Sequence, residues 1–290
     1  MPRMTPSDAP APDTDPTAPI TDLDGQPLPL MDIGVNLADR RFQADLNDVL
    51  SRARRARVLA QLVTGTDIAA SEAALAMAEA EPDLFATAGI HPHHAMDCDS
   101  SALRGLSDMA RAPAVRAIGE TGLDFNRDFS PRPQQEKAFA AQLALACDVG
   151  KPVFLHQRDA HTRFLPILRE YRDALPAAIV HCFTDDRRAL FDYLDLDCHI
   201  GITGWLCDER RGGPLRALVP NIPAPRLLVE TDCPYLLPRD LPGKPPVRGR
   251  NEPALLPWIV RRLAECRDET AADTARHTWA NARQVFGLDR

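Results

Sequence analysis

Four residues able to bind a divalent metal, Glu120, His156, His181 and Asp232, each close an apolar run of the chain. The runs are AVRAIGE at 114–120, PVFLH at 152–156, AAIVH at 177–181 and RLLVETD at 226–232. The intervals between the four residues are 36, 25 and 51. A strand with its crossover helix takes about 30 residues. The spacing therefore predicts one βα unit, then a second, then two together, with each polar group at the carboxyl end of its strand. Ligands gathered at the C-terminal mouth of a (β/α)8 barrel have this pattern. A buried strand that simply ends in a polar residue accounts for one such run, but poorly for four in step.

The rest of the chain fits the same architecture. Strands are expected at 31–36, 58–64, 84–90, 114–120, 152–156, 177–182, 198–203 and 226–231. Most are continuous apolar runs, as parallel strands buried on both faces require. Helices alternate with them at about 45–56, 67–80, 101–110, 133–149, 161–173, 185–194, 213–219 and 253–265, and a last helix at 269–285 closes the chain. Eight repeats predict an α/β fold of the closed (β/α)8 TIM-barrel type. An open dinucleotide-binding sheet would need a Gly-rich turn after its first strand, and VNLADRRF at 35–42 is not one. One hydrolase domain over 31–290 is expected.

Residues 1–30 read differently. Eight are Pro, with no helical or strand period, so they are expected to form a disordered N-terminal tail. Met31 stands directly before the first strand, as it would if the true start lay there. No apolar run reaches the 18 residues of a membrane span, and no signal core is present, which predicts a cytoplasmic protein without a membrane partner. Seven scattered cysteines suggest reduced thiols. Cys182 and Cys233 adjoin proposed ligands and are themselves candidates. With His181 facing the barrel interior, strand alternation places Cys182 outside it.

These residue types suit metal-assisted hydrolysis. Glu120, His156 and His181 would hold a divalent ion, and Asp232 would ligate it or orient the attacking water. Glu230 shares a strand face with Asp232; it either supports the site or forms a structural salt bridge. Mixed imidazole and carboxylate ligands suit Zn2+ or Mn2+. His91 and His93, in the loop after strand three, are candidates for gripping a phosphate or protonating a leaving oxygen, whereas His94 reads as solvated. His161 starts a helix near the mouth, and His199 and His277 read as structural. The net charge of −7 argues against tight nonspecific duplex binding. The loops near the mouth are locally basic, with Arg158 and Arg163, Arg210 and Arg211, and Arg239, Lys244, Arg248 and Arg250. Of these, Arg158, Arg248 and Arg250 are taken as the substrate-binding cations. Phe183, Trp205 and Tyr235 either stack on bases or pack as walls.

Seven segments carry a resemblance: 32–42 (DIGVNLADRRF), 87–95 (TAGIHPHHA), 117–130 (AIGETGLDFNRDFS), 152–161 (PVFLHQRDAH), 181–184 (HCFT), 201–212 (GITGWLCDERRG) and 230–241 (ETDCPYLLPRDL). In this order they resemble the TatD family of metal-dependent deoxyribonucleases, over about 31–287. The resemblance implies an amidohydrolase-like barrel acting as a 3′-to-5′ exonuclease on single-stranded DNA or RNA ends, with a role in DNA repair. It implies Mg2+ as the ion, with Mn2+ or Zn2+ as alternatives. It puts Glu120, His156 and His181 on metal-ligand positions, Asp232 on the acidic position of the last strand, and His91 and His93 in substrate roles. Asp232, Glu120 and His93 are then the catalytic candidates. Many relatives carry a His-x-His pair at the end of strand one; Gly34 and Asn36 stand there in this chain, which weakens a second metal subsite. A monomer is expected. The alternatives left open are a non-nuclease metallohydrolase, such as an aminoacyl-tRNA deacylase or a small-molecule amidohydrolase, and a non-catalytic binding scaffold.

Overall fold

The structure is a computed structural model that describes residues 15–288. Eight parallel strands run in chain order around one sheet: β1 Leu30–Val35, β2 Val58–Val63, β3 Leu84–Ala88, β4 Val115–Asp124, β5 Val153–Arg158, β6 Ala178–Val180, β7 His199–Ile202 and β8 Leu227–Val229. The last strand meets the first. The Asp232 amide donates to the Gly34 carbonyl at 2.9 Å, the Asn36 amide donates to the Cys233 carbonyl at 2.8 Å, and Val35 and Cys233 form a parallel bridge. The barrel is therefore closed, as the spacing predicts.

Helices α1 Leu46–Arg55, α2 Ile68–Ala80, α3 Ser100–Met109, α4 Arg132–Val149, α5 His161–Tyr171, α6 Arg187–Asp195, α7 Gly213–Leu218 and α8 Leu256–Arg267 form the outer layer. Their termini follow local chemistry. The Asp67 side chain accepts from the Ala70 amide at the start of α2. Left-handed Gly150, at φ 63°, ends α4 and returns its amide to the last turn. Phe139 of α4 stacks on Phe164 of α5 with ring centroids 4.7 Å apart, and both are fully buried. Truncating either to Ala would cost about 3–5 kcal/mol.

One end of the barrel is plugged. Helix α9, Ala271–Phe286, sends Ala282 and Phe286 against Met31, Ile33, Leu62 and Phe154 of the interior. Asn281 on the same helix donates to the Ala224 and Leu227 carbonyls. Only the opposite, C-terminal mouth stays open for chemistry.

Three expectations need correction. Strand β4 continues past Glu120 to Asp124, pairing Gly122 with His156 and Asp124 with Arg158 after a register shift. The apolar run ends before Thr121, so hydropathy stops too early. Gly122 is what permits the extension: it sits at φ +145°, and a Cβ there would lie 1.9 Å from the His156 carbonyl oxygen.

Cys182 does not pack outside the barrel. Strand β6 ends at Val180, and Cys182 takes a left-handed φ of 47°, so strand alternation no longer governs it. It lines the open mouth.

The segment before β1 is ordered on the barrel over its described part. Ile20 is buried in the main core, Thr21 pairs with Pro27, and Arg261 donates to the Ala18 carbonyl. Prolines remove donors, but Ile20 and Leu30 supply apolar anchors that repay ordering. Residues 1–14 of the expected tail lie outside the described residues. Among those described, no helix is long and apolar enough to cross a membrane.

Candidate metal centre and active site

A cavity of about 610 Å3 opens at the C-terminal mouth. Nearly every strand end contributes to it: Asn36 after β1, Thr64 after β2, His91 and His93 after β3, Glu120 on β4, His156 and Arg158 on β5, His181 after β6, and Asp232 after β8. Left-handed turns at Cys182 and Asp232 direct the chain into this mouth.

Glu120 is the hub. Its Oε1 lies 2.8 Å from His156 Nδ1, 2.8 Å from His181 Nε2 and 3.3 Å from His91 Nε2. One carboxylate oxygen offers two lone pairs, fewer than the three imidazole nitrogens around it. His91, Glu120 and His156 each present a ligand atom within 4.8 Å of the other two. Meanwhile the buried His156 Nε2 makes no well-aligned hydrogen bond, its polar neighbour being Asp124 Oδ2 at 3.3 Å. Converging imidazoles around a central carboxylate fit a divalent cation of the first transition row. His91 therefore groups with the ligating atoms rather than with the substrate-binding set expected for it.

Burial pushes the His91 imidazole down to about 4, with Glu120 opposing. It is neutral near pH 7, the form that ligates metal. For His181, burial disfavours the charged ring, but the Glu120 and Glu230 carboxylates outweigh it and hold the pKa well above the usual value. His156 is raised in the same sense against burial, by the Asp124 and Glu120 carboxylates beside it. Burial alone would raise Glu120, yet His181 and His91 bring its carboxyl well below the ordinary range.

Glu230 stands behind His181 and does not contact Asp232 through a hydrogen bond. Its Oε2 lies 3.3 Å from His181 Nδ1, and its Oε1 accepts from the Cys182 amide at 2.6 Å. It thereby orients His181, as carboxylates behind metal-binding histidines do. Asn36 donates to Asp232 Oδ1 at 3.0 Å and to the Cys233 carbonyl at 3.1 Å. Burial pushes the Asp232 carboxyl up to about 7, with Glu120 and Glu230 adding and His181 opposing.

Asp124 belongs to the site and escaped the sequence reading. Its Oδ2 lies 2.8 Å from His93 Nε2 and 3.3 Å from His156 Nε2, while Oδ1 accepts from the Asn126 and Arg127 amides. Burial would raise this carboxyl; the adjacent His156 and His93 rings and the Arg127 amide hold it well below its usual range instead. The signal was its position two and four residues from Gly122 and Glu120 on one strand face.

The basic rim is thinner than the sequence suggests. Arg158 lines the cavity, donates to Thr184 and lies 5.4 Å from the Trp205 ring. Arg248 is exposed and does not line the cavity. Arg250 is buried and pairs with Asp45 and Glu252, so it is a structural tie and not a substrate cation. Arg163 pairs with Glu136, while Arg211 and Arg239 share Asp208. Each of these arginines is paired with an acid, although Arg211 and Arg239 share a single one.

Phe183 is a buried wall residue, whereas Tyr235 is half-exposed in the cavity with Arg41 4.3 Å over its ring. Phe129, which no pattern singled out, is exposed at the mouth with its ring centroid 4.7 Å from that of His93. Cys233 is buried and does not line the cavity, and all seven cysteines are free. His161 begins α5 and His199 is buried, in line with their structural reading.

Comparison with known proteins agrees with this geometry. The chain is 52% identical over 260 residues to a "3′-5′ ssDNA/RNA exonuclease TatD" of Edwardsiella piscicida, covering 89% of this chain and 100% of that protein. A protein of the same description from Pectobacterium atrosepticum is 53% identical, with the same coverage. The fold is similar to the crystal structure of a TatD homologue from Escherichia coli K12, with a TM-score of 0.81, 28% identity, and 89% and 98% of the two chains covered. It is also similar to an uncharacterized amidohydrolase from Saccharomyces cerevisiae, with a TM-score of 0.80, 25% identity, and 90% and 100% covered. The family described as TatD related DNase matches residues 31–287, and the chain belongs to it.

Proposed function

We propose that the protein is a metal-dependent hydrolase that removes nucleotides from the 3′ end of single-stranded DNA or RNA. The observation that carries this reading is the convergence of three imidazoles on Glu120 in an open mouth that also holds Asp232 and Arg158. Glu120, His156, His181 and His91 would hold the ion. A bound divalent cation acidifies water and offsets charge on the phosphoryl oxygens. The imidazole-rich ligands suit Mn2+ or Zn2+, while the family resemblance favours Mg2+, used through its abundance. Asp232, carrying a carboxyl near neutrality, accepts the proton of the attacking water. His93, backed by Asp124, donates a proton to the leaving oxygen. Arg158 contacts a non-reacting phosphoryl oxygen, and Tyr235 and Phe129 offer ring faces to unstacked bases. The activity belongs to a cytoplasmic monomer in this reading.

The test uses 5′-labelled single-stranded DNA and RNA with metal-stripped protein, then Mg2+, Mn2+ or Zn2+ added back separately. A ladder shortening from the 3′ end, absent in His181→Ala, is expected. Asp232→Asn should lower kcat by about 10²–10⁴, the usual weight of a general base. Metal-independent cleavage, or none with any ion, would overturn the reading.

A further inference from the structure

A second cavity, of about 620 Å3, lies between the loops that follow β7 and β8. Trp205 lines it and also links it to the first. The Arg211 guanidinium, in the second cavity, sits 4.2 Å from the Trp205 ring centroid; Arg158, in the first, sits 5.4 Å from it. Arg158, Trp205 and Arg211 thus form a ladder from the metal-binding mouth into the neighbouring space.

The charge there is built and not incidental. Asp208 is nearly buried and accepts from the Arg210 and Arg211 amides, which fixes it at the turn. Arg211 reaches it at 2.9 Å and Arg239 at 3.3 Å. Two guanidinium ions share this one carboxylate, so neither is fully paired by it. Both arginine side chains stay more than half exposed, at 53% and 59%. Each guanidinium has five N–H donors, more than one shared carboxylate uses. The two loops are packed together, since a Cβ on Gly204 would lie 2.7 Å from the Leu236 carbonyl oxygen. Leu236 and Pro238 give the cavity an apolar side. A spare cation pair beside an apolar wall suits a phosphate joined to a base.

We propose that this second cavity receives the second nucleotide on the 5′ side of the scissile bond, its phosphate between Arg211 and Arg239 and its base against Trp205, Leu236 and Pro238. The proposal rests on the nuclease reading above. It makes cleavage depend on substrate length, because a dinucleotide is too short to fill both cavities.

The test compares kcat/KM for a dinucleotide and for a single strand of about ten nucleotides, using the full chain with Mg2+. In Arg239→Gln and in Arg211→Gln the ratio of long to short should fall roughly fivefold, and Arg239→Lys should recover most of it. The salt dependence of log KM on the long strand should flatten by about 0.7 for one lost phosphate contact. An unchanged ratio in both Gln variants overturns the subsite while leaving the nuclease intact. Wild type that cleaves neither substrate overturns the nuclease reading, and the subsite with it.

Discussion

Gly34 and Glu230 compete for the same space: a Cβ on Gly34 would fall 2.2 Å from Glu230 Oε2. In sequence, Gly34 reads only as the loss of a metal-binding histidine. In the fold it is the room that lets the fully buried Glu230 lie against His181 Nδ1. Absence of a side chain at the end of β1 and presence of a carboxylate on β8 are one arrangement.

Two substitutions should expose that arrangement. Glu230→Gln is expected to weaken divalent-metal affinity about 10–100-fold by freeing His181. Gly34→Ala should destabilise the fold by about 1–3 kcal/mol through overpacking and weaken metal binding in parallel. Calorimetric titration of Mn2+ into the metal-stripped protein checks both. Unchanged affinity in Glu230→Gln would show that Glu230 does not orient His181.

Arg250 and Arg158 should separate cleanly. Arg250→Ala leaves Asp45 and the buried Glu252 short of a partner and should cost about 3 kcal/mol of stability. Its effect on KM should be small. Arg158→Ala should instead raise KM roughly tenfold and flatten its salt dependence, with little change in unfolding. Denaturant melts and KM at two salt concentrations distinguish them, and the opposite pattern would reverse the assignments.

His199 should make the fold acid-sensitive. Burial pushes its imidazole from 6.5 down to about 4, with the Arg226 charge adding. Arg226 lies 3.4 Å from its Nε2, and its Nδ1 is buried without a partner. The ring is neutral in the folded state and protonates more readily when unfolded. Its stabilising effect is full above pH 6.5, declines as pH falls, and is lost by about 4, amounting to about 3 kcal/mol across the window. His199→Leu should flatten stability against pH over that interval. An unchanged slope in urea melts would mean that other groups set it.

The segment before β1 should contribute measurably. A chain beginning at Met31 lacks Ile20, which is buried in the main core, and Leu30, which opens β1. Such a chain should retain the barrel and lose roughly 3–6 kcal/mol, about two buried aliphatic side chains. Thermal unfolding of both forms checks this, and equal stability would show that the segment rests passively on the surface. The intact mass of protein made from the native gene decides whether the start lies at Met31.

The barrel was legible in the sequence because its determinants are local and repeated. Apolar runs at βα spacing, each buried on both faces, specify strand number and order, and the polar residue ending each run marks the mouth. Glu120, His156, His181 and Asp232, picked out this way, all line the one cavity at that mouth. What escaped depends on which atoms meet. Asp124 required knowing that β4 runs past Glu120, which Gly122 and the register with β5 allow and hydropathy does not register. The contact of His91 with Glu120 was hidden because its loop turns the ring onto a residue 29 positions away in the chain. Arg250 and Arg239 looked alike as loop cations; only folding gave one Asp45 and the buried Glu252, and the other a carboxylate shared with Arg211. Periodicity reports which face a residue takes on its own element. Partners far apart in the chain are chosen by tertiary packing, and charge, burial and hydrogen bonding follow from those partners.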